Sequence, residues 1–511
     1  TERPRLRYAP DRIRATARNP ARRARLGQGL KGVVRLRPPS GSVRPNGFDF
    51  AFNNYFQGIG ANGFFLGAPV SVPLASLQWD LRIKIEKIRY WLAQHIRGQS
   101  QTIAGTVSAA LITGDKAAIP DEVNEQLRRS GLAHILSISG LHMALVAGTL
   151  MFVIRTAWAT APGVAPSLPI KKIAALAGFI AIFVYLFLAG ASVATQRSFI
   201  MLGVMLGALL SDRSAITMRN LAIATLIVVL IAPQATLGPS FQMSFAATMA
   251  LIAAYQAWTA RRNSNQNQFW RKRSTLSTIL QRTGAFIGGL SMTSIIAGAA
   301  TGLFAAYHFQ RIAVFGLMGN LFAMPIVSLI TMPFAILATL LIPFGLDGFA
   351  YAAMNWSVDI VLDIAAFVAR HSPSGNVGAI MPASAVCMTI CLVMLCVLNS
   401  RLRYVGLIFV IPAIIVQKTA IPPILVISED SRQVAVLLGE GNLAVNRTRP
   451  NAFILQQWQS AYQVQTIIKP GQANGFACDS ELNCTVHTGT ASIFYTQSAD
   501  YFSENASALC H

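Results

Sequence analysis

Apolar and polar positions divide the chain into a polar, alternating start, a long run of apolar stretches and a second alternating region at the end. From about 131 to 416 the apolar stretches are long enough, or nearly so, to cross a bilayer. They lie near 132–157, 172–190, 193–210, 217–232, 241–258, 284–306, 312–343, 350–370, 381–399 and 403–416. The 312–343 stretch carries Pro325 and Pro333 and reads as one broken span or as two half-spans. Before this region, Leu81, Ile85, Ile88, Leu92 and Ile96 recur at helical spacing among Arg82, Lys84, Lys87 and Arg89. That pattern predicts an amphipathic helix over 77–97, lying in the headgroup region or packed on the bundle. Residues 3–75 alternate in short runs, Arg5-Leu6-Arg7-Tyr8 and Val33-Val34-Arg35-Leu36, broken by Pro and Gly, as small β domains do. Ile424–Ile427 and Gln433–Leu438 predict strands in a β-rich tail. The expected fold is mainly α: a polytopic transmembrane helical bundle of about ten spans, with a β domain at each end. The expected segments are 1–76, 77–130, 131–416 and 417–511.

Composition agrees with the pattern. The chain is 53% hydrophobic and 12% charged, against about 25% charged in soluble proteins. The net charge of +22 is unevenly placed: residues 1–50 hold 13 Lys/Arg against 3 Asp/Glu, and residues 417–511 hold 5 against 7. A basic module at the N-terminal end suits a polyanion or a lipid-headgroup surface. If that module lies outside, the loops after the first, third and fifth spans lie inside, and they hold eleven Lys/Arg against one in the alternate loops. The bias of Lys/Arg toward cytoplasmic loops therefore predicts a periplasmic N-terminal domain. Cys387, Cys391 and Cys396 read as packing residues, and the absence of a CxxC pair argues against a zinc site. Cys478 and Cys484 could pair in an oxidising compartment. The chain opens on TERPRLRY without an initiating Met, so a piece of a longer protein is expected.

Candidate chemistry concentrates in the apolar region. His134, Ser137, Ser139 and His142 flank Gly140, and such polar groups in a span need partners or a wet path. Helical spacing places Ser130, His134 and Ser137 on one face. Two His at this spacing are too few for a metal site, and no cofactor is expected. Ser192, Thr195, Gln196 and Arg197 form a second polar set. Arg197 either snorkels to headgroups or faces inward to meet a phosphate. Gln242, Ser244, His308 and Asn320 are further buried-polar candidates. Asn355, Asp359 and Asp363 fall at i, i+4 and i+8, which predicts a shared face and suggests charge pairing or a proton-coupled step. In the N-terminal segment Phe48, Phe50, Phe52, Tyr55, Phe56, Phe64 and Phe65 stand among basic residues. They either form a small barrel core or stack on exposed bases; Arg35, Arg37, Arg44, Phe48, Phe50 and Phe56 are the candidate DNA contacts.

Several of these segments resemble one family. Ala110-Leu-Ile-Thr-Gly114-Asp115-Lys116, Ile119-Pro120 and Leu127-Arg-Arg-Ser-Gly131-Leu-Ala-His134-Ile-Leu-Ser-Ile-Ser139-Gly140-Leu141-His142 resemble the signature of the ComEC competence domain. Gly190-Ala-Ser192-Val-Ala-Thr195-Gln-Arg197, Pro239-Ser-Phe241-Gln242-Met-Ser244-Phe, Tyr307-His308-Phe309 and Gly319-Asn320-Leu321 through Pro325 are similar to later family motifs, in the family's order. Arg44–Phe50 and Phe56–Ala61 resemble its OB-like periplasmic domain. The resemblance implies an inner-membrane channel for single-stranded DNA in bacterial transformation. His134, Ser137, Ser139, His142, Ser192, Thr195, Arg197, Gln242, Ser244 and Asn320 would line its path. Many members carry a metallo-β-lactamase-like domain at the C-terminal end. Its HxHxDH cluster has no counterpart in residues 417–511, where only His487 and His511 occur. The tail therefore resembles a degenerate or truncated copy, and no enzyme activity is expected. There is no GxxxxGK[ST] loop either, so the partners implied are single-stranded DNA, membrane lipid, a separate DNA receptor and a cytoplasmic motor or strand-binding protein. A homo-oligomer is left open. Competing readings are a proton-coupled small-molecule transporter using Asp359 and Asp363, and a membrane-bound nuclease whose ligands lie outside this chain.

Overall fold

The computed structural model describes residues 12–17, 27–73, 81–160, 169–264, 275–439, 441–480, 483–488, 491–500 and 502. Arg5–Tyr8, Arg271, Lys272, Arg273, Cys510 and His511 lie outside them, as do residues 77–80 at the start of the expected amphipathic helix.

The chain is mostly helical, with small sheets at both ends. In the N-terminal module, β1 (Arg12–Thr16), β4 (Ile59–Phe65) and β3 (Val34–Arg37) form a sheet in the order β1-β4-β3. The first pair is parallel and the second antiparallel. Strands β2 (Gly29–Lys31) and β5 (Val70–Val72) form a separate ladder. Among the described residues these five strands form two separate ladders. The segment Phe50–Phe56 is a helix, α1, capped by Asp49, whose side chain accepts from Phe52 N–H. Phe52, Tyr55 and Phe56 on it stand 42%, 77% and 47% exposed.

Helix α2 (Leu81–Gln99) is the amphipathic one. Leu92, Ala93 and Ile96 pack inward while Leu81, Ile88 and Trp91 stay exposed. After it come α3 (Ile103–Thr113), α4 (Asp121–Arg129), α5 (Ala133–Leu136), α6 (Gly140–Ala159), α7 (Ile170–Leu188), α8 (Val193–Leu210) and α9 (Met218–Ile231). The bundle continues through α10 (Pro239–Ser264), α11 (Thr275–Phe309), α12 (Gly316–Ile326), α13 (Met332–Leu341), α14 (Gly348–His371), α15 (Pro382–Val397) and α16 (Val410–Lys418). Every apolar stretch read from the sequence contains helix. Among the described residues six segments are long and apolar enough to cross a membrane: 140–159, 170–188, 193–210, 287–309, 316–344 and 348–371. The stretch with two prolines is one of these. A π-helical turn at Val327–Thr331 joins α12 to α13, so the helix continues past Pro325 and Pro333. Such a turn absorbs the carbonyl clash that proline brings.

The expected single span over 132–157 is broken. Gly131 takes φ +77° and α5 runs only four residues, so Ser130, His134 and Ser137 share no helical face. The turn at Gly131, just ahead of α5, has a packing cause. A Cβ on Gly131 would sit 2.8 Å from Gly316 Cα, and one on Gly319 would sit 2.4 Å from the Ser130 carbonyl oxygen. The 130–131 turn thus lies directly on α12, where only glycine fits.

Beyond α16, β6 (Leu425–Ile427), β7 (Val434–Gly439), β8 (Asn442–Val445) and β9 (Thr466–Ile468) form one sheet, with α17 (Ala452–Tyr462) crossing between the parallel pair β8 and β9. Strands β10 (Ala477–Ser480), β11 (Asn483–Thr488) and β12 (Ala491–Thr496) form a meander joined by a Cys478–Cys484 disulfide. The two β modules touch. Trp458 Nε1 donates to the Val43 carbonyl at 3.0 Å, Gly41 N–H donates to Glu429 Oε2 at 2.8 Å, and the Phe50 and Phe453 rings meet edge to face. Both sit at the end of the bundle where α14 finishes, since Ala379 N–H donates to the Ala461 carbonyl. At the other end of α14, Asp347 Oδ2 lies 2.6 Å from His95 Nε2 at the close of α2.

Candidate functional site

The polar residues of the bundle fall into local pairs, set mostly at helix starts. Ser139 caps α6: its N–H donates to His142 Nδ1 at 3.2 Å, and its Oγ lies 3.1 Å from the same nitrogen. An accepting Nδ1 leaves the ring proton on Nε2. That nitrogen is buried without a partner among the described residues. Ser192 caps α8 in the same manner, its Oγ accepting from Thr195 N–H at 3.3 Å and sitting 2.7 Å from the Thr195 hydroxyl. Both motifs follow from the chemistry of N-caps, where a short polar side chain accepts from the first free N–H groups of a helix.

Arg197, one turn into α8, is 4% exposed. Its Nη2 donates to Ser240 Oγ and Ser244 Oγ of α10, both at 3.0 Å, while Nε and Nη1 have no partner among the described residues. Gln242, on the same helix, accepts at Oε1 from His308 Nε2 across 2.7 Å, which ties α10 to the end of α11. Asn320 on α12 is half-buried with its Oδ1 unpartnered among the described residues. His134 stands exposed, its Nδ1 3.0 Å from the Gly131 carbonyl, and Ser137 is half-buried at the end of α5. The helix starts of α6, α8 and α10 therefore lie side by side, and the sets around His142, Arg197 and Gln242 occupy neighbouring helices.

Two cavities are described, and neither is lined by these polar groups. One is an apolar void of about 10 Å³ beside Leu111, Leu127 and Val358. The other is a groove of about 550 Å³ between α12 and α14, lined by Phe315, Met318, Phe322, Asp363, Phe367 and His371 among others.

Asn355, Asp359 and Asp363 do not share an environment. Asn355 is buried and accepts from Ser108 Oγ at 2.7 Å, whereas both aspartates are exposed. Four residues overshoot a helical turn by about 40°, so the third member has turned about 80° from the first.

In the N-terminal module the register aligns Arg35 with Phe64 and Arg37 with Asn62 across β3–β4, and Arg14 with Asn62 across β1–β4. Side chains at alternate positions share a face. Exposed Arg14, Arg35 and Arg37 therefore flank Phe64, itself 40% exposed, on one side of the sheet. Phe64 was read only as one of the aromatics that form a barrel core or stack on bases, and Arg14 was not among the sequence candidates, although the Arg12-x-Arg14 alternation carried the signal. Phe48 and Phe56 are exposed and Phe50 is half-buried against Phe453. Arg44 departs from expectation: it is 9% exposed, at the junction of both modules with the bundle, near Tyr462 and Tyr307. Burial pushes its guanidinium pKa below the ordinary value. Arg97 Nη2 donates to Asp115 Oδ2 at 2.8 Å. Burial pushes the Asp115 carboxyl up, but the Ala117 N–H and Arg97 outweigh it and hold it below its ordinary value.

Fold and site together define a polytopic helical membrane protein with two docked β modules at one end and buried polar groups at neighbouring helix starts. The sequence model of the competence protein family matches residues 111–402, more than half of the chain, and the chain belongs to that family. It is 22% identical to ComE operon protein 3 of Bacillus subtilis (strain 168) over 307 residues, covering 60% of this chain and 35% of the relative. It is 28% identical to Competence protein ComA of Neisseria gonorrhoeae over 283 residues, covering 54% and 39%, and 24% identical to YcaI of Escherichia coli (strain K12) over 322 residues, covering 61% and 38%. The chain thus spans well under half the length of these relatives. No solved structure gives a significant match.

Proposed function

We propose that this chain conducts single-stranded DNA through the bacterial inner membrane during transformation. The observation that carries the reading is Arg197, a cation buried in a membrane-spanning helix and bonded only to hydroxyls among the described residues. Its setting favours a passing polyanion over a structural ion pair. The basic face of Arg14, Arg35 and Arg37 around Phe64 adds a second fit, since unspecific strand binding combines positive charge with an aromatic shelf. In this reading the β modules lie in the periplasm. The Lys/Arg-rich ends of the bundle, including Arg155, Lys171, Lys172, Arg213 and Arg219, lie away from them, as cytoplasmic loops require. The strand is gathered on the sheet and enters among α6, α8 and α10, which must part to admit it. His142, Ser192, Thr195, Gln242, Ser244 and Asn320 flank that path. The chain itself performs no hydrolysis, and force comes from a separate motor.

The test is uptake of labelled DNA in a strain deleted for the gene and complemented with variants. His142→Ala and Arg197→Ala should each lower nuclease-protected uptake about tenfold or more, with unchanged membrane insertion. Normal uptake in both would remove the path from these helices.

A further inference from the structure

Arg197 presents a charge with nothing to neutralise it. No carboxylate pairs with it among the described ion pairs. The two serine hydroxyls satisfy Nη2 alone, and donors at Nε and Nη1 stay unused. A buried cation left in that condition is destabilising. The surroundings raise the positive potential further. Ser240 is the second residue of α10, Arg197 lies in the second turn of α8, and a Cβ on Gly140, the first residue of α6, would stand 3.9 Å from Ser198 Oγ. The starts of α8 and α10 meet at this guanidinium, and the start of α6 packs on Ser198 beside it, each the positive end of a helix dipole. A cation would be repelled there, and an apolar ligand would leave the donors unused. Only an oxyanion answers both the charge and the donors.

We propose that Arg197, with the starts of α6, α8 and α10, forms a fixed binding site for one phosphate-type oxyanion, which in transport is a phosphodiester of the strand. The oxyanion chemistry stands on the geometry alone; its assignment to the strand rests on the uptake reading above. The site reads backbone charge and is indifferent to base.

The test uses the full chain in a phosphate-free maltoside detergent and follows its thermal unfolding midpoint. The probes are a short oligothymidylate, its uncharged methylphosphonate counterpart, inorganic phosphate and added phospholipid. Oligothymidylate should raise the midpoint of wild type and of Arg197→Lys. Arg197→Gln should need about tenfold more oligothymidylate or greater, the worth of charge-assisted hydrogen bonds, and the methylphosphonate should not distinguish the two proteins. Without any anion, Arg197→Gln should unfold no earlier than wild type, because it removes an unpaired charge. A purely structural arginine would make that variant less stable. Should Arg197→Gln fail to fold, the wild-type comparison of oligothymidylate with its methylphosphonate counterpart carries the test, and equal midpoint shifts from the two overturn the site. Equal oligothymidylate response in wild type and Arg197→Gln overturns the site. A phospholipid response that oligothymidylate cannot displace, or a response to inorganic phosphate alone, overturns the strand assignment. Arg197-dependent binding together with normal cellular uptake by Arg197→Gln would leave the anion site standing and remove the transport reading.

Discussion

At the scale of single residues, the glycines and caps carry most of the explanation. Gly131 combines a positive φ with a Cβ position 2.8 Å from Gly316 Cα. Gly131→Ala should therefore cost about 2–4 kcal/mol from backbone strain and overpacking together, read as a lower unfolding midpoint in detergent. An unchanged midpoint would mean that the 130–131 turn does not lie on α12 as described. Asp115 gives a pH test. Its folded pKa lies below the ordinary value, so its contribution is full at neutral pH and lost as pH falls below about 4. Asp115→Asn should be less stable than wild type near neutrality and approach it in acid; a gap that persists in acid would contradict the Arg97 pairing. The identity of the polar residues was legible in the sequence, but their roles were not. Ser139 with His142 and Ser192 with Thr195 read as a lining, whereas the structure uses them first to cap α6 and α8. The four-residue spacing of Ser139, Gly140, Leu141 and His142 matches a capping box with His in the Glu position. That pattern is visible only once the helix is known to start there.

At the scale of elements, hydropathy found the helices because lipid leaves the backbone no alternative. It could not find the breaks. Gly131 looks like any glycine in an apolar run until α12 is brought against it, and Arg44 reads as a surface cation until α17 and α11 close around it. The same limit explains Asp359 and Asp363, whose outward turn depends on which face of α14 the Ser108–Asn355 bond fixes. Ser108→Ala would leave the Asn355 amide unpaired inside the bundle and should cost about 1–2 kcal/mol. No loss of stability would mean that α3 and α14 are held by packing alone. Trp458→Phe removes the bond to Val43 while keeping most of the ring. It should loosen the two β modules from each other, seen as faster limited proteolysis in the 38–48 segment at about unchanged helix content; equal cleavage rates would place the docking energy elsewhere.

At the scale of the whole molecule, the account joins two positive surfaces: an exposed sheet face of Arg14, Arg35, Arg37 and Phe64, and a buried guanidinium where α8 and α10 begin. The β modules hold together at one end of the bundle, and the described Arg155, Lys172 and Arg213 lie away from them. One strand would have to meet both surfaces in turn. The most direct measurement is site-specific photo-crosslinking to labelled DNA in cells during uptake, with the reactive side chain placed at Phe64, at Phe241 beside Ser240, or at the exposed Phe152 of α6. The account predicts crosslinks to DNA at the first two positions and none at the third. Labelling at Phe64 without any at Phe241, or labelling at Phe152 alone, would contradict passage among α6, α8 and α10.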